Sequence, residues 1–228
     1  IRYINLLYLS LKRKNIYSTI HNQNTNHKFL RSFNTKYLGY LNYNFSKNSS
    51  TFITDETIND FKLSKKDFFV LPIYITYYPN NGAHLNAIIY NKKLKELDYF
   101  EPFGLENEIK FIENKNMVEN IRKDLEEKGL QINSVNYIIQ NLAGPQYYNY
   151  QEKPCKGDPY GFCQAWSFWF IDFRVKHSTK NADELVKLFL NKFIRDNKSF
   201  KTFVRNYGEQ IVMFAKHHAP HCSVDDNQ

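Results

Sequence analysis

Residues 162–175 have the sequence FCQAWSFWFIDFRV, which is apolar on almost every side of a helical wheel. A helix that is hydrophobic all round is buried in a protein core. A membrane-spanning helix needs roughly 18 apolar residues, whereas this run is shorter and contains Asp172 and Arg174. The stretch therefore predicts a buried helix at the centre of a globular domain. We assign four of its aromatic residues to that core rather than to a substrate site: Trp166, Phe168, Trp169 and Phe170.

Cys163 occupies the first turn of this predicted helix, after a segment rich in Gly, Pro, Tyr and Asn. We predict that this segment, residues 140–161, is a long loop, and such loops in compact domains are usually functional. Unsatisfied backbone N–H groups and the positive end of the helix dipole favour a thiolate at the start of a helix. Cys163 is therefore a candidate nucleophile, and a small cysteine packed in the core is the alternative.

The remaining sequence predicts a domain that contains both strands and helices. Runs of β-branched and aromatic residues predict strands over residues 68–76, 84–90, 96–100 and 132–139. The polar turn at Asn91, Lys92 and Lys93 makes the second and third strands a hairpin. Apolar residues at helical spacing predict helices over residues 114–128, 182–197 and 200–216, and a short helix beginning near Thr54.

Composition limits the class of protein and its compartment. With 42% hydrophobic residues in 228, the chain can bury one sizeable core, which excludes wholesale disorder. The net charge of +8 is spread along the chain, so we expect neither a nucleic-acid nor a membrane partner. Three cysteines cannot form a closed set of disulfides, which indicates a reducing compartment. The abundance of Asn, Lys, Ile, Tyr and Phe indicates an AT-rich genome, as in a virus, an intracellular bacterium or a parasite, so we expect that compartment to be a host cytoplasm or a virion.

A thiolate nucleophile needs a base or ion-pair partner, and His84 is the candidate because it opens a predicted strand. Glu101 follows His84 by 17 positions, at the end of the next strand of the hairpin. A hairpin can bring these two side chains together on one face, where Glu101 would fix the imidazole tautomer. Asp98 is the competing carboxylate, but alternation along a strand points it to the opposite face from Glu101.

Three blocks of sequence carry a family resemblance: GAHLNAIIY at residues 82–90, YFEPFG at 99–104 and GFCQAWS at 161–167. Their order and spacing resemble the adenain and Ulp/SENP superfamily of cysteine proteases, clan CE. Within this superfamily, the three blocks are most similar to Ulp-like proteases of large DNA viruses and some intracellular bacteria. The chain differs from many members in having Leu85, where they have Trp beside the histidine.

This resemblance implies an α+β fold with a permuted papain-like core. A central mixed or antiparallel sheet would pack on the nucleophile helix and on C-terminal helices. Cys163 would attack a carbonyl, His84 would accept and return the proton, and Glu101 would orient His84. A glutamine before the nucleophile donates to the oxyanion in that family, and Gln146 is the best match. Because Gln146 lies 17 positions before Cys163, a longer gap than is usual, Gln151 and Asp158 remain alternatives.

The resemblance also implies a substrate. Members of the superfamily cleave after the C-terminal Gly-Gly of ubiquitin or a SUMO-like modifier, in channels too narrow for a Cβ atom. Such an enzyme would be a deubiquitinase or deSUMOylase with a ubiquitin-like protein as its partner. The alternatives are a viral polyprotein-processing protease, an effector acetyltransferase, or an inert binding module on the same fold. Thiol protease chemistry needs no cofactor.

We divide the chain into an N-terminal extension at residues 1–50, a catalytic domain at 51–216 and a polar tail at 217–228. The extension mixes aromatic and basic residues and is a candidate modifier-binding surface. The tail contains His217, His218, His221 and Cys222, but their crowded spacing does not match structural zinc sites, so we predict no metal. Cys155 is expected to be a free thiol.

Overall fold

A computed structural model of the protein describes residues 16–18, 41–44, 49–50, 53–77, 82–106, 108–153 and 162–218. The strands in these residues are β1 (Ile16–Ser18), β2 (Leu41–Asn44), β3 (Ser49–Ser50), β4 (Phe68–Tyr77), β5 (Gly82–Asn91), β6 (Glu96–Leu105) and β7 (Ser134–Gln140). The helices are α1 (Asp55–Leu63), α2 (Glu108–Glu127), α3 (Pro145–Gln151), α4 (Cys163–Lys176), α5 (Ala182–Arg195) and α6 (Phe200–His218).

The strands form one mixed sheet in the order β3-β2-β4-β5-β6-β7, and β1 also pairs with β4. The centre is antiparallel, with β5 between β4 and β6. The β5–β6 ladder sets Asn91 opposite Glu96 and Ala87 opposite Phe100. Parallel pairs flank this centre, because β7 runs parallel to β6 while β1 and β2 run parallel to β4.

Helices cover both faces of the sheet. One face packs against α4, α5 and α6, and we call it the α4 face. The opposite face packs against α1 and α2, and we call it the α2 face. Side chains alternate between the faces, as the pleat requires: in β5, Ala87 and Ile89 lie on the α4 face whereas Ile88 and Tyr90 lie on the α2 face.

This architecture confirms the predicted α+β class, with a mixed sheet packed on a buried helix and on C-terminal helices. Helix α4 begins at Cys163, one residue after the predicted start. Its four aromatic residues assigned to the core are at most 6% exposed: Trp166, Phe168, Trp169 and Phe170. No helix in the described residues is long and apolar enough to span a bilayer.

The prediction of one long loop over residues 140–161 was wrong in its first half, because residues 145–151 form α3. Gly144 is the N-cap and Pro145 begins the helix, a position where the fixed φ of proline and its missing N–H cost nothing. The buried residues of α3 are Pro145, Gln146 and Asn149. A helix of seven residues is too short to be stable by itself, so the packing of these side chains stabilises α3. A further difference is that α2 begins at Glu108, six residues before the predicted start.

The N-terminal extension contributes β1, β2 and β3 to the sheet, on the side of β4 away from β5. The domain division itself stays a prediction. The apolar run at residues 1–11 favours a helix, but it lies outside the described residues, as do Cys155, Asp158, His221 and Cys222.

A buried ion pair fixes the C-terminal end of α4 on the sheet. The Arg174 guanidinium, 1% exposed, donates from Nε to Asp98 Oδ2 at 2.5 Å, and Asp98 is fully buried. Nη1 of Arg174 also donates to the carbonyl oxygens of His177 and Ser178, at 3.1 and 3.0 Å, just after the helix ends. Because several acceptors share the charge, the pair is compatible with an apolar interior.

We expect Asp98→Ala to lower the free energy of unfolding by about 3–5 kcal/mol, because it leaves the Arg174 guanidinium buried without its counter-ion. Urea denaturation followed by circular dichroism measures this change. Glu96→Ala is the matched control, since Glu96 is 3.9 Å from the same guanidinium but one-third exposed, and it should cost less than about 1 kcal/mol. Equal losses in the two variants would contradict the assignment.

Candidate active site

The β5–β6 hairpin brings His84 and Glu101 together. Nε2 of His84 lies 2.5 Å from Oε1 of Glu101, and the two side chains are 12% and 6% exposed. The same carboxylate oxygen accepts the backbone N–H of Phe103 at 2.9 Å. Asp98 pairs with Arg174 on the α4 face and takes no part in this contact. The carboxylate beside the imidazole is thus Glu101.

Cys163 is the first residue of α4, and it approaches the His84 imidazole on the side away from Glu101. Its thiol hydrogen-bonds with His84. Because Glu101 engages Nε2, the contact with Cys163 falls to Nδ1 of the ring. The three side chains therefore form a continuous Cys-His-Glu chain from the start of α4 to the middle of β6.

The start of α4 is held in this place by one residue of β5. The backbone N–H of Leu85 hydrogen-bonds with Cys163, and the Leu85 carbonyl accepts from the Ser167 hydroxyl at 2.8 Å. Cys163 and Ser167 are four residues apart, so they lie on the same side of the helix. Leu85 directly follows His84, and the same backbone segment therefore positions the histidine and the cysteine.

Burial opposes each charge in the site, but the three groups favour one another's charged forms. Burial lowers the pKa of His84, yet the Glu101 carboxylate and hydrogen bonds with Cys163 and Glu101 outweigh it and raise that pKa to about 10. Burial raises the pKa of Glu101, and the charge and hydrogen bond of His84 bring it below its ordinary value. Burial likewise raises the pKa of Cys163, but His84 and the N–H groups of Leu85 and Gln164 lower it overall. The His84 imidazolium therefore favours the thiolate form of Cys163 over the neutral thiol, relative to an ordinary cysteine.

Gln146 lies in the first turn of α3 and is 2% exposed. Two contacts place this turn beside the Cys-His-Glu chain. The Gly144 N–H donates to the Phe103 carbonyl at 2.7 Å, and the Phe103 ring centroid is 6.0 Å from that of His84. Three residues after Gln146, Asn149 accepts from Trp166 of α4 at 3.1 Å. The Gln146 Oε1 has no hydrogen-bond partner among the described residues.

Two glycines make the close approach between β6 and α3 possible. Gly104 has a φ of +90°, and a Cβ there would overlap the carbonyl oxygen of Leu142. A Cβ on Gly144 would overlap the carbonyl oxygen of Pro102. These contacts are with backbone atoms that cannot rotate away. Only glycine at both positions lets the start of α3 lie against the segment that follows Glu101.

The other residues singled out from the sequence are not members of the Cys-His-Glu chain or lie outside the described residues. Gln151 is exposed at the last residue of α3, and Asp158 lies outside the described residues. Leu85 is 3% exposed and packs into the α4-face core. Among the described side chains, no group of three or more His, Cys, Asp or Glu residues could hold a metal ion.

Sequence reasoning missed Asn86, Asn149 and Ser167, which contact the site residues or the helices that carry them. Strand alternation was the available signal for Asn86, because it places Asn86 on the same face as His84. The bonds of Asn149 and Ser167 join elements distant in sequence, so no local pattern indicates them.

Comparisons with known proteins give distant similarities. No protein-family model matches the chain. Over 174 residues, 69% of the chain, it is 28% identical to "Putative ankyrin repeat protein L371" of Acanthamoeba polyphaga mimivirus. The chain spans only 22% of the length of this relative.

Two solved structures of bacterial effectors are also similar. The Chlamydia abortus effector protein ChlaDUB has 14% identity and a TM-score of 0.39, with 91% of this chain and 96% of that chain covered. The Chlamydia trachomatis effector protein Cdu1, bound to ubiquitin, has 12% identity and a TM-score of 0.42, with 92% and 90% covered. Such distant similarity leaves the chemistry to be inferred from the side chains of the site.

We expect Gly144→Ala to lower the free energy of unfolding by about 1–3 kcal/mol, because the new methyl group forces α3 away from β6. Gly208→Ala is the control, since a Cβ on Gly208 of α6 meets no atom of the described residues within 4 Å. That variant should gain about 0.5–1 kcal/mol from its higher helix propensity. Urea denaturation of both variants measures this difference in the free energy of unfolding. If the two variants are equally stable, the close approach between β6 and α3 is contradicted.

The ionisation of the site predicts a specific pH dependence of Cys163 alkylation by iodoacetamide. Because the Cys163 pKa is lowered, the rate should reach half its maximum below pH ~8.5, the midpoint of an ordinary cysteine. His84 should remain protonated until the pH nears about 10, so no second change is expected below that pH. Mass spectrometry of the Cys163 peptide separates this residue from Cys155 and Cys222.

His84→Ala removes the cation but leaves the thiol buried, so its alkylation midpoint should rise above that of the unmodified protein. The same midpoint in both proteins would show that His84 does not stabilise the thiolate.

Proposed function

We propose that this protein is a cysteine protease that cleaves after the C-terminal Gly-Gly of ubiquitin or a ubiquitin-like modifier. The observation that carries the proposal is the Cys-His-Glu chain, with 2.5 Å between His84 Nε2 and Glu101 Oε1 and Cys163 on the other side of the ring. A nucleophile, a base and a group that orients the base in one line is the arrangement that acyl transfer requires.

The proposed reaction begins with attack of the Cys163 thiolate on the carbonyl carbon of the scissile amide. The C–S bond forms as the carbonyl oxygen takes the negative charge. When this intermediate collapses, the C–N bond breaks and the His84 imidazolium gives its proton to the leaving amine. Neutral His84 then takes a proton from water, whose oxygen attacks the thioester and releases the carboxylate product and Cys163. Glu101 holds the ring in one orientation throughout.

Gln146 is the proposed donor to the oxyanion. Its position in the buried first turn of α3, which is joined to β6 by the Gly144–Phe103 hydrogen bond, supports this role. Its Nε2 would donate to the negatively charged oxygen. The N–H groups at the start of α4 are a further source of positive potential, since the Phe162 N-cap provides no side-chain hydrogen bond to them.

A protein substrate is supported by the surface beside the catalytic residues. Phe103, Tyr147 and Tyr150 are between 37% and 53% exposed, and the Phe103 and Tyr150 ring centroids are 5.2 Å apart. Phe103 also adjoins His84. An exposed aromatic surface continuous with a catalytic centre suits an extended peptide better than a small polar molecule. The preference for Gly-Gly rests on the resemblance of the three sequence blocks to the Ulp-like proteases. A thiolate enzyme of this kind requires a reducing compartment.

We expect the intact protein to form a covalent adduct with a modifier that carries a C-terminal electrophile. Ubiquitin, SUMO and related modifiers are compared by mass spectrometry. The adduct should disappear in Cys163→Ala and persist in Cys155→Ala and Cys222→Ala. In Gln146→Ala the adduct should still form, whereas turnover of a modifier–fluorophore amide should fall by about 10²–10³-fold, the usual effect of losing one oxyanion donor.

An adduct with one modifier defines the substrate class. Absence of any adduct, with Cys163 still alkylated rapidly by iodoacetamide, would overturn the modifier specificity. An adduct that survives in Cys163→Ala would overturn the assignment of the nucleophile.

A further inference from the structure

Asn86 is a fully buried polar residue beside the proposed catalytic residues. It lies two positions after His84 on β5, so both point to the same face of the sheet. Its Nδ2 donates to the hydroxyl oxygen of Tyr99 on β6 at 2.6 Å. Burying an amide among the apolar side chains of the α2 face costs free energy unless the amide is hydrogen-bonded.

The strand register places Asn86 next to Glu101. Ala87 is paired with Phe100, so Asn86 and Glu101 are the next residues along their two strands. Tyr99 and Glu101 are two positions apart on β6 and share a face, which lets one amide group reach both. A hydrogen bond from the Asn86 side chain contributes to the lowered pKa of Glu101.

The orientation of the amide agrees with this contact. The Asn86 Oδ1 is buried and has no hydrogen-bond partner among the described residues. Rotating the amide by 180° would turn this oxygen towards the Glu101 carboxylate, and two acceptors would then face each other. The Glu101 charge therefore favours the orientation in which both Nδ2 protons are used and Oδ1 is left unpaired.

We propose that Asn86 is a positioning residue, whose amide donates to the Glu101 carboxylate and is itself held by the Tyr99 hydroxyl. In this way it fixes Glu101 in the orientation that keeps the His84 imidazolium beside Cys163. The charged groups facing one another are then Glu101 on β6, His84 on β5 and Cys163 on α4. This inference rests on the proposed Cys-His-Glu site but not on the identity of its substrate.

The test measures the pH profile of Cys163 alkylation by iodoacetamide in Asn86→Leu, a change of similar volume that removes the donor. Without the donor, Glu101 is ionised less readily, His84 is held less firmly as imidazolium and the thiolate is less stable. We expect the alkylation midpoint to rise by about 0.5–1 pH unit. Asn86→Thr keeps one donor and should show a smaller rise.

Asn114→Leu is the matched control. Asn114 is also a buried asparagine, and its Oδ1 has no hydrogen-bond partner in the described part of the chain. It lies on α2, which supplies none of the hydrogen-bond partners described for Glu101. Its alkylation midpoint should equal that of the unmodified protein. All variants are compared at matched fractions of folded protein, judged by circular dichroism.

An unchanged midpoint in folded Asn86→Leu, or an equal rise in Asn114→Leu, would overturn the proposal. If Asn86→Leu does not fold, Tyr99→Phe decides, because it removes only the hydroxyl that holds the amide: a rise supports the proposal and no rise overturns it. Alkylation needs no protein substrate. A failure to find a modifier adduct, with the midpoint shift present, would therefore reject the proposed substrate and leave the role of Asn86 standing.

Discussion

The docking of α4 on the sheet is the constraint on which the rest of the structure depends. Its N-terminal end is held through the backbone of Leu85, and its C-terminal end through the ion pair of Arg174 with Asp98. Between these ends the contacts of α4 with the sheet are mostly apolar and non-directional, so they supply most of the stability but little of the register. The polar contacts at the two ends determine where the first residue of the helix lies.

The same geometry explains how charge is tolerated in a mostly buried site. A buried thiolate alone would be neutralised by protonation, because burial raises the pKa of Cys163. The imidazolium and the start of α4 reverse this effect, while Glu101 in turn sustains the charge of His84. The charge of each group is stabilised by the next one, and Asn86 adds a further side chain to the hydrogen-bonded Cys-His-Glu series, inside the α2-face core. Losing any one member should therefore affect the ionisation of all the others.

Much of this arrangement could be predicted from local patterns. The apolar residues 162–175 indicated a buried helix with Cys163 at its start, and the strand runs indicated the hairpin that joins His84 to Glu101. Helix α3 could not be predicted in the same way, because seven residues give too little periodicity. Its position depends on the interlocking of Gly104 with Gly144. It also depends on the end of β7, where the Ile139 N–H donates to Asp183 of α5 at 2.6 Å and Ile139 has a φ of 56°.

The sequence by itself determined the strands and helices other than β1, β2, β3 and α3, together with their order and the residue types that can carry thiol chemistry. Hydrophobic periodicity and strand alternation can do this because they act over short spans of chain. Tertiary structure alone decided the ionisation of Cys163, His84 and Glu101, the burial of Gln146 in the first turn of α3, and the contact of Asn86 with Tyr99. Each of these depends on distances between side chains from different elements. Electrostatic and hydrogen-bond energies change steeply over an ångström or two, and no local pattern in the chain fixes distances on that scale.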